Sequence, residues 1–164
     1  CKPLTHRLDL WNQVVFPIRN KNISCDQTKI FLTRTKSRLR FIENSIEIEH
    51  TARNLGFSVM DTDNLSLQEQ INIFLSTKYL VGIHGAGLTN MTFRTDSCRI
   101  MEIFPPPNLG YLPYHYIMLA KMLGFQYSAM IGEPGRVKYS GGFYLPPAEF
   151  ERKLLKFCNE QTVV

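Results

Sequence analysis

Two apolar rhythms take turns along the chain. Short, nearly unbroken apolar runs stand at "KIFLT" (29–33), "FSVMD" (57–61), "YLVGI" (79–83), "RIMEIF" (99–104) and "FQYSAMI" (125–131). Each has strand length, and the weak polar alternation fits strands covered on both faces. Between them, apolar residues recur three and four apart. The segment "ENSIEIEHTARNLG", with Ile42 just before it and Ile46, Ile48, Ala52 and Leu55 within it read as a helical spacing, predicts a helix that Gly56 stops. "SLQEQINIFLSTK" predicts a second, opened by a Ser66–Glu69 capping box and carrying Leu67, Ile71, Phe74 and Leu75 on one face. "YHYIMLAKMLG" and "PPAEFERKLLKFCNEQ" predict two more, and a short helix is expected from about Ala86.

Strands alternating with helices give an α/β fold, a Rossmann-like parallel sheet with helices on both faces. Such sheets bind ligands where their strands end at the carboxyl side. Residues 1–28 lack a period and hold Trp11 and Pro17. They read as an extended lead-in or a linker remnant, ahead of a single domain over 29–164. The first residue is Cys1 and not Met, so a fragment of a longer chain is one expectation.

Composition narrows the class. The 164 residues suit one domain, and 44% apolar with 12% aromatic content argues against disorder. No apolar run approaches the roughly 18 residues of a membrane span. The four cysteines, Cys1, Cys25, Cys98 and Cys158, are widely spaced, without zinc or redox signature. Free thiols in a reducing compartment are expected. Asn22, Asn64 and Asn90 each open an N-x-S/T sequon, which matters only in a secreted chain.

The net charge of +5 is concentrated: "KIFLTRTKSRLR" holds five basic residues and no acidic one. Arg34 follows the first strand directly, and Arg38 and Arg40 lead towards the next helix, so all three stand where a phosphate could be gripped. The rival is a solvated basic face. Nucleic acid is not expected, because no aromatic residues interleave with the basic run to make a stacking platform.

"YLVGIHGAGLTN" raises the sharpest question. His84 and Gly85-Ala86-Gly87 come directly off a strand. Glycines there let backbone amides approach an anion, and the ring can add a donor. The bland reading is a structural histidine in a tight turn. A metal is not expected, since no second ligand stands two to four residues away. Glu102, near the end of the fourth strand, suits ribose hydroxyls or a general base, against an exposed strand-end glutamate.

In order, "TRTKSRLRFIEN", "VGIHGAGLTNMTF" and "MEIFP" resemble glycosyltransferase family 61, over about residues 29–131. The resemblance implies one half of a GT-B enzyme, the C-terminal half that holds the donor nucleotide sugar. It implies transfer with inversion to a glycan or polysaccharide hydroxyl, capsular polysaccharide among them. The implied site comprises His84 as catalytic residue. It adds Arg34, Arg38, Arg40, Asn44, Gly85, Ala86, Gly87, Leu88, Thr89, Asn90 and Glu102 as substrate contacts. No cofactor or metal is implied, and an N-terminal acceptor-binding domain is expected as partner. Ser45 departs from the family's usual acidic residue after the asparagine. A bacterial, cytoplasmic setting is expected, with the secretory lumen as alternative. A Rossmann-like module that binds a nucleotide or polyanion without catalysis is the competing function.

Overall fold

The five apolar runs do pair, and all in one direction. A computed structural model describes residues 13, 28–34, 39–94, 97–107, 112–138 and 140–159. In it β1 (Thr28–Leu32), β2 (Ser58–Met60), β3 (Thr77–Ile83), β4 (Arg99–Phe104) and β5 (Gln126–Ile131) form a sheet ordered β2-β1-β3-β4-β5. Every neighbouring pair is parallel. The helices are α1 (Ser45–Asn54), α2 (Leu67–Ser76), α3 (His115–Met122) and α4 (Pro147–Asn159), with a 3-10 helix over Ala86–Phe93.

Alternation along each strand gives the sheet two apolar faces. On one, Phe31, Val81, Met101 and Ile103 pack with Ile48 and Ala52 of α1 and with Phe150 and Leu154 of α4. On the other, Ile30, Leu80 and Ile100 pack with Ile71 and Phe74 of α2, Leu88 of the 3-10 helix and Ala120 of α3. Each such buried side chain larger than alanine is worth about 1.5–3 kcal/mol. Packing on the sheet therefore outweighs helix propensity in holding these short helices.

Several expectations are refined. The capping box of α2 is complete: Ser66 Oγ accepts from the Glu69 amide at 3.3 Å, and the Glu69 carboxylate accepts from the Ser66 amide at 2.8 Å. Ile46 and Leu67, expected on apolar faces, are 85% and 65% exposed. Leu67 is the first residue of α2, at the end of its apolar face, whereas Ile46 stands two residues from Ile48, about 200° around α1 and opposite the buried Ile48 and Ala52. The helix after β3 is a 3-10 helix rather than an α-helix. Three residues per turn puts Leu88 and Met91 on one buried ridge.

A small antiparallel pair, β6 (Glu133–Pro134) with β7 (Phe143–Tyr144), was not anticipated. Strands of two residues carry no period to read. The lead-in segment lies outside the described residues apart from Gln13 and Thr28. Of the cysteines, Cys98 is buried and Cys158 half-buried, both as free thiols. Burial pushes the Cys98 thiol up to about 12, so it stays protonated.

Gly82, in register with Glu102, lets the 3-10 helix seat on the sheet. A Cβ there meets Leu88 Cδ2 at 3.0 Å and Leu32 Cβ at 3.2 Å. Gly82→Ala is expected to destabilise the chain by about 1–3 kcal/mol, the usual range for overpacking. A denaturant midpoint unchanged from wild type overturns that expectation.

Candidate functional site

The strand order contains one reversal. From β1 the chain passes to β2 on one side, and β3 then lies on the other side of β1. The connections leaving β1 and β3 diverge, and a crevice opens between those strand ends, the usual ligand position in doubly wound sheets. The sequence places Arg34 two residues after β1 and His84 directly after β3. The two residues singled out on chemical grounds thus flank the crevice.

His84 is 8% exposed and continues the β3 face that carries Leu80 and Gly82. Its backbone amide donates to the Ile103 carbonyl at 2.8 Å, prolonging the β3–β4 ladder. Its ring Nδ1 is hydrogen-bonded to Glu102 Oε1. Glu102 is 0% exposed, in the middle of β4. Its second oxygen, Oε2, accepts from the Tyr127 hydroxyl at 2.5 Å. Burial, and then the Glu102 carboxylate, push the Tyr127 phenol up, so it remains a donor.

Aromatic rings set the plane of the imidazole. Phe104 stacks at 5.2 Å and 21°, His115 at 6.2 Å and 27°, and Tyr116 meets it edge-on at 5.5 Å. The ring borders a cleft of about 340 Å³ walled by Phe104, Pro105–Pro107, Leu112 and Pro113, with Arg40 and Gly141–Gly142 across it. Arg40 is the one non-glycine among the described residues with positive φ, at 66°. Such a conformation persists only when its surroundings enforce it. Here the Arg40 amide is tied to the Gly141 carbonyl at 2.9 Å.

Arg34 reaches the same point from the other side. Its guanidinium lies where a Gly85 side chain would be: a Cβ there would stand 1.9 Å from Arg34 Nη2. Gly85 has extended backbone, with φ 162°, so close approach of the guanidinium, not a left-handed turn, requires the glycine. Beyond it lies a water-sized hollow of about 30 Å³ between Arg34, Gly87 and the β2 end, Asp61 to Asp63. His84 and Gly85 form the ridge between hollow and cleft.

The other expected contacts separate into access and support. Ala86 and Thr89 are exposed and Gly87 half-buried. The amides of Ala86 and Gly87, in the first turn, lack acceptors within the helix. Leu88 does not face a ligand: it is core, and its amide donates to the Gly85 carbonyl at 3.0 Å. Half-buried Asn90 donates its Nδ2 to Gln70 Oε1 of α2 at 2.9 Å. Asn44 is spent on Leu145, donating to its carbonyl at 2.9 Å and accepting from its amide at 3.1 Å. Glu102 is neither an exposed strand-end glutamate nor a ribose contact, since both oxygens are engaged inside the sheet. Arg38 lies outside the described residues.

Tyr127, His115 and Glu43 were not anticipated. Tyr127 stands two residues before Ala129, the register partner of Glu102, so strand alternation alone puts it on the Glu102 face. Glu43 latches the 133–142 loop beside the cleft. It accepts from the Arg136 amide at 2.6 Å, the Val137 amide at 3.2 Å and the Ser140 hydroxyl at 2.8 Å. Among the described residues, no group of three or more His, Cys, Asp or Glu is placed to hold a metal ion. No helix among them is long and apolar enough to cross a membrane.

Comparison with known proteins bears on this arrangement. The family described as Glycosyltransferase 61 matches residues 4–101, more than half of the chain. That range includes Arg34, Arg40 and the His84–Asn90 string and ends one residue short of Glu102. A beta-1,2-xylosyltransferase of Arabidopsis thaliana is 30% identical over 67 residues. The matched part is 41% of this chain and 12% of that protein.

Two outcomes follow from this geometry. Gly85→Ala displaces only the end of a flexible side chain, so stability is expected to fall by less than about 1 kcal/mol. Pyrophosphate affinity is expected to fall about tenfold or more, the value of one hydrogen bond to a charged group. Calorimetric titration checks this, and wild-type affinity in Gly85→Ala detaches Arg34 from anion binding. For Glu43, burial raises the carboxyl, but the bonds from Ser140, Arg136 and Val137 outweigh it and hold it below the ordinary 4.5. The unfolded chain therefore takes up the proton more readily. The latch is at full strength above pH 4.5 and is lost as pH falls through the lowered folded value. Acidification is expected to lower the melting temperature more in wild type than in Glu43→Gln; equal losses exclude the latch.

Proposed function

Because the chain belongs to glycosyltransferase family 61, we propose that it holds the nucleotide sugar of an inverting glycosyl transfer at the β1/β3 crevice, with His84 as the base. One observation carries this reading. An imidazole with a buried carboxylate behind it borders an open cleft, between an arginine from the β1 loop and an arginine across the cleft wall.

In this reading Arg34, Arg40 and the amides of Ala86 and Gly87 receive the diphosphate. They provide fixed donors where negative charge develops as the glycosidic bond to phosphate breaks. The acceptor hydroxyl oxygen forms the new bond to the anomeric carbon from the opposite side, and its proton passes to His84 Nε2. Arginines and amides supply the positive charge, so the reading calls on no metal. The chain is one half of a GT-B enzyme, and the acceptor-binding half is a separate domain.

The matched region spans 12% of the Arabidopsis relative. That relative's name makes a xylose donor the first to try, and its eukaryotic origin supports the secretory lumen over a bacterial cytoplasm. The acceptor is then a glycan hydroxyl rather than a capsular polysaccharide.

Calorimetry with nucleoside diphosphates and sugar nucleotides tests the site. Arg34→Ala is expected to cost about 1.5–3 kcal/mol of affinity, the range for hydrogen bonds to charged groups. Equal affinity in wild type and variant sinks the donor site. In a form of the protein competent for transfer, His84→Ala is expected to lower turnover about 10²–10⁴-fold, the usual worth of a general base. Donor affinity should stay nearly unchanged. A variant that melts earlier yet keeps its turnover per folded molecule reduces His84 to a turn-shaping residue, and donor binding without any turnover favours the non-catalytic module.

A further inference from the structure

We propose that Glu102 and Tyr127 are positioning residues that hold the His84 ring as its Nδ1–H tautomer, with the Nε2 lone pair turned to the cleft. Its catalytic meaning rests on the reading of His84 as the base.

Packing gives no reason for a carboxylate at position 102. The face it occupies is otherwise lined by Leu80, Ile100, Phe125 and their neighbours, and Glu102 is wholly buried there. A buried carboxylate is costly unless both oxygens are answered. Here Oε1 meets His84 Nδ1 and Oε2 meets the Tyr127 hydroxyl.

With Glu102 as the carboxylate, the donor inventory leaves one consistent assignment. An ionised carboxylate only accepts, so both neighbours must donate. Tyr127 gives its O–H and His84 gives Nδ1–H. The second ring nitrogen, Nε2, has no hydrogen-bond partner among the described residues, and the ring borders the cleft. A carboxylate behind Nδ1 fixes the tautomer and steadies the imidazolium once a proton arrives. Tyr127 holds that carboxylate in turn. Without the phenol, Oε2 is a buried acceptor without a donor, and the carboxylate can rotate away from the ring. Stacking of Phe104 and His115 fixes the ring plane, so only the tautomer and the carboxylate rotamer are left to vary. The charged and titratable groups around the ring are Glu102 from β4, His115 and Tyr116 from α3, Arg34 against the neighbouring Gly85, and Arg40 across the cleft.

Nitrogen-15 spectra of the histidine-labelled chain read the tautomer directly. They are recorded at about pH 8.5, above the ordinary histidine range. The sequence has four histidines, and His84→Gln identifies the resonance of interest. In wild type, Nδ1 is expected to carry the proton and Nε2 to be bare. Tyr127→Phe keeps the ring volume and is expected to shift the population towards Nε2–H. Glu102→Gln is expected to shift it further, and melting curves exclude unfolding as the cause. A wild-type ring protonated at Nε2, or a tautomer unmoved in Tyr127→Phe, overturns the proposal. Where transfer can be followed, kcat of Tyr127→Phe is expected to fall about tenfold or more with the donor KM kept, as for a weakened general base. If the tautomer moves as expected but His84→Gln keeps full turnover, the positioning stands and the reading of His84 as the base fails.

Discussion

A carboxylate in the interior of a parallel sheet constrains everything around it. Glu102 is wholly buried, so two donors must reach it from its own face. One comes from the end of β3 and one from the body of β5. Three adjacent strands are therefore tied through side chains as well as through backbone ladders. The position of His84 follows: its ring must lie back over the sheet towards Glu102, and only its far edge is left for the cleft. The glycine opposite Glu102 completes the arrangement, because Leu88 needs that space to seat the 3-10 helix.

The arginines obey a different constraint, topological rather than electrostatic. Divergent connections at the β1/β3 reversal leave room for a cation on each side of the His84–Gly85 ridge. Arg34 uses the missing side chain of Gly85, and Arg40 uses a left-handed backbone tied to Gly141. Positive charge is thereby brought to the carboxyl end of the sheet without entering the apolar layers.

Much of the layering was legible in the sequence. Five apolar runs and the intervening helical spacings produced a parallel sheet with two covered faces, and the Ser66 capping box formed as written. Leu67 went astray because periodicity tells which side of a helix is apolar, not how far the surface beneath it extends, and Ile46 because it stands two residues from Ile48 and so faces away from the buried side. The string after β3 was legible as a motif but not as a division of labour. Letters do not show that Leu88 and Asn90 support the turn while Ala86 and Gly87 remain accessible. Glu102 was read from its place near a strand end, although register sets it opposite Gly82, inside the sheet. Tyr127 is 25 residues from Glu102 in sequence, and only the β4–β5 register brings them together. The β6–β7 pair and the Glu43 latch are non-local in the same sense.

The segment from Arg40 to Asn44 ties these parts together. Within five residues it supplies a cleft-wall arginine, a strand bridge to Phe143, the carboxylate that gathers the 133–142 loop and the amide that clamps Leu145. The two stretches that make the far wall of the cleft, 40–44 and 136–145, are thus bound to each other through hydrogen bonds already made during folding. Conformational freedom given up at that stage is not given up again when a ligand arrives. The entropy of assembling that wall belongs to the folding reaction, and a ligand meets it already built.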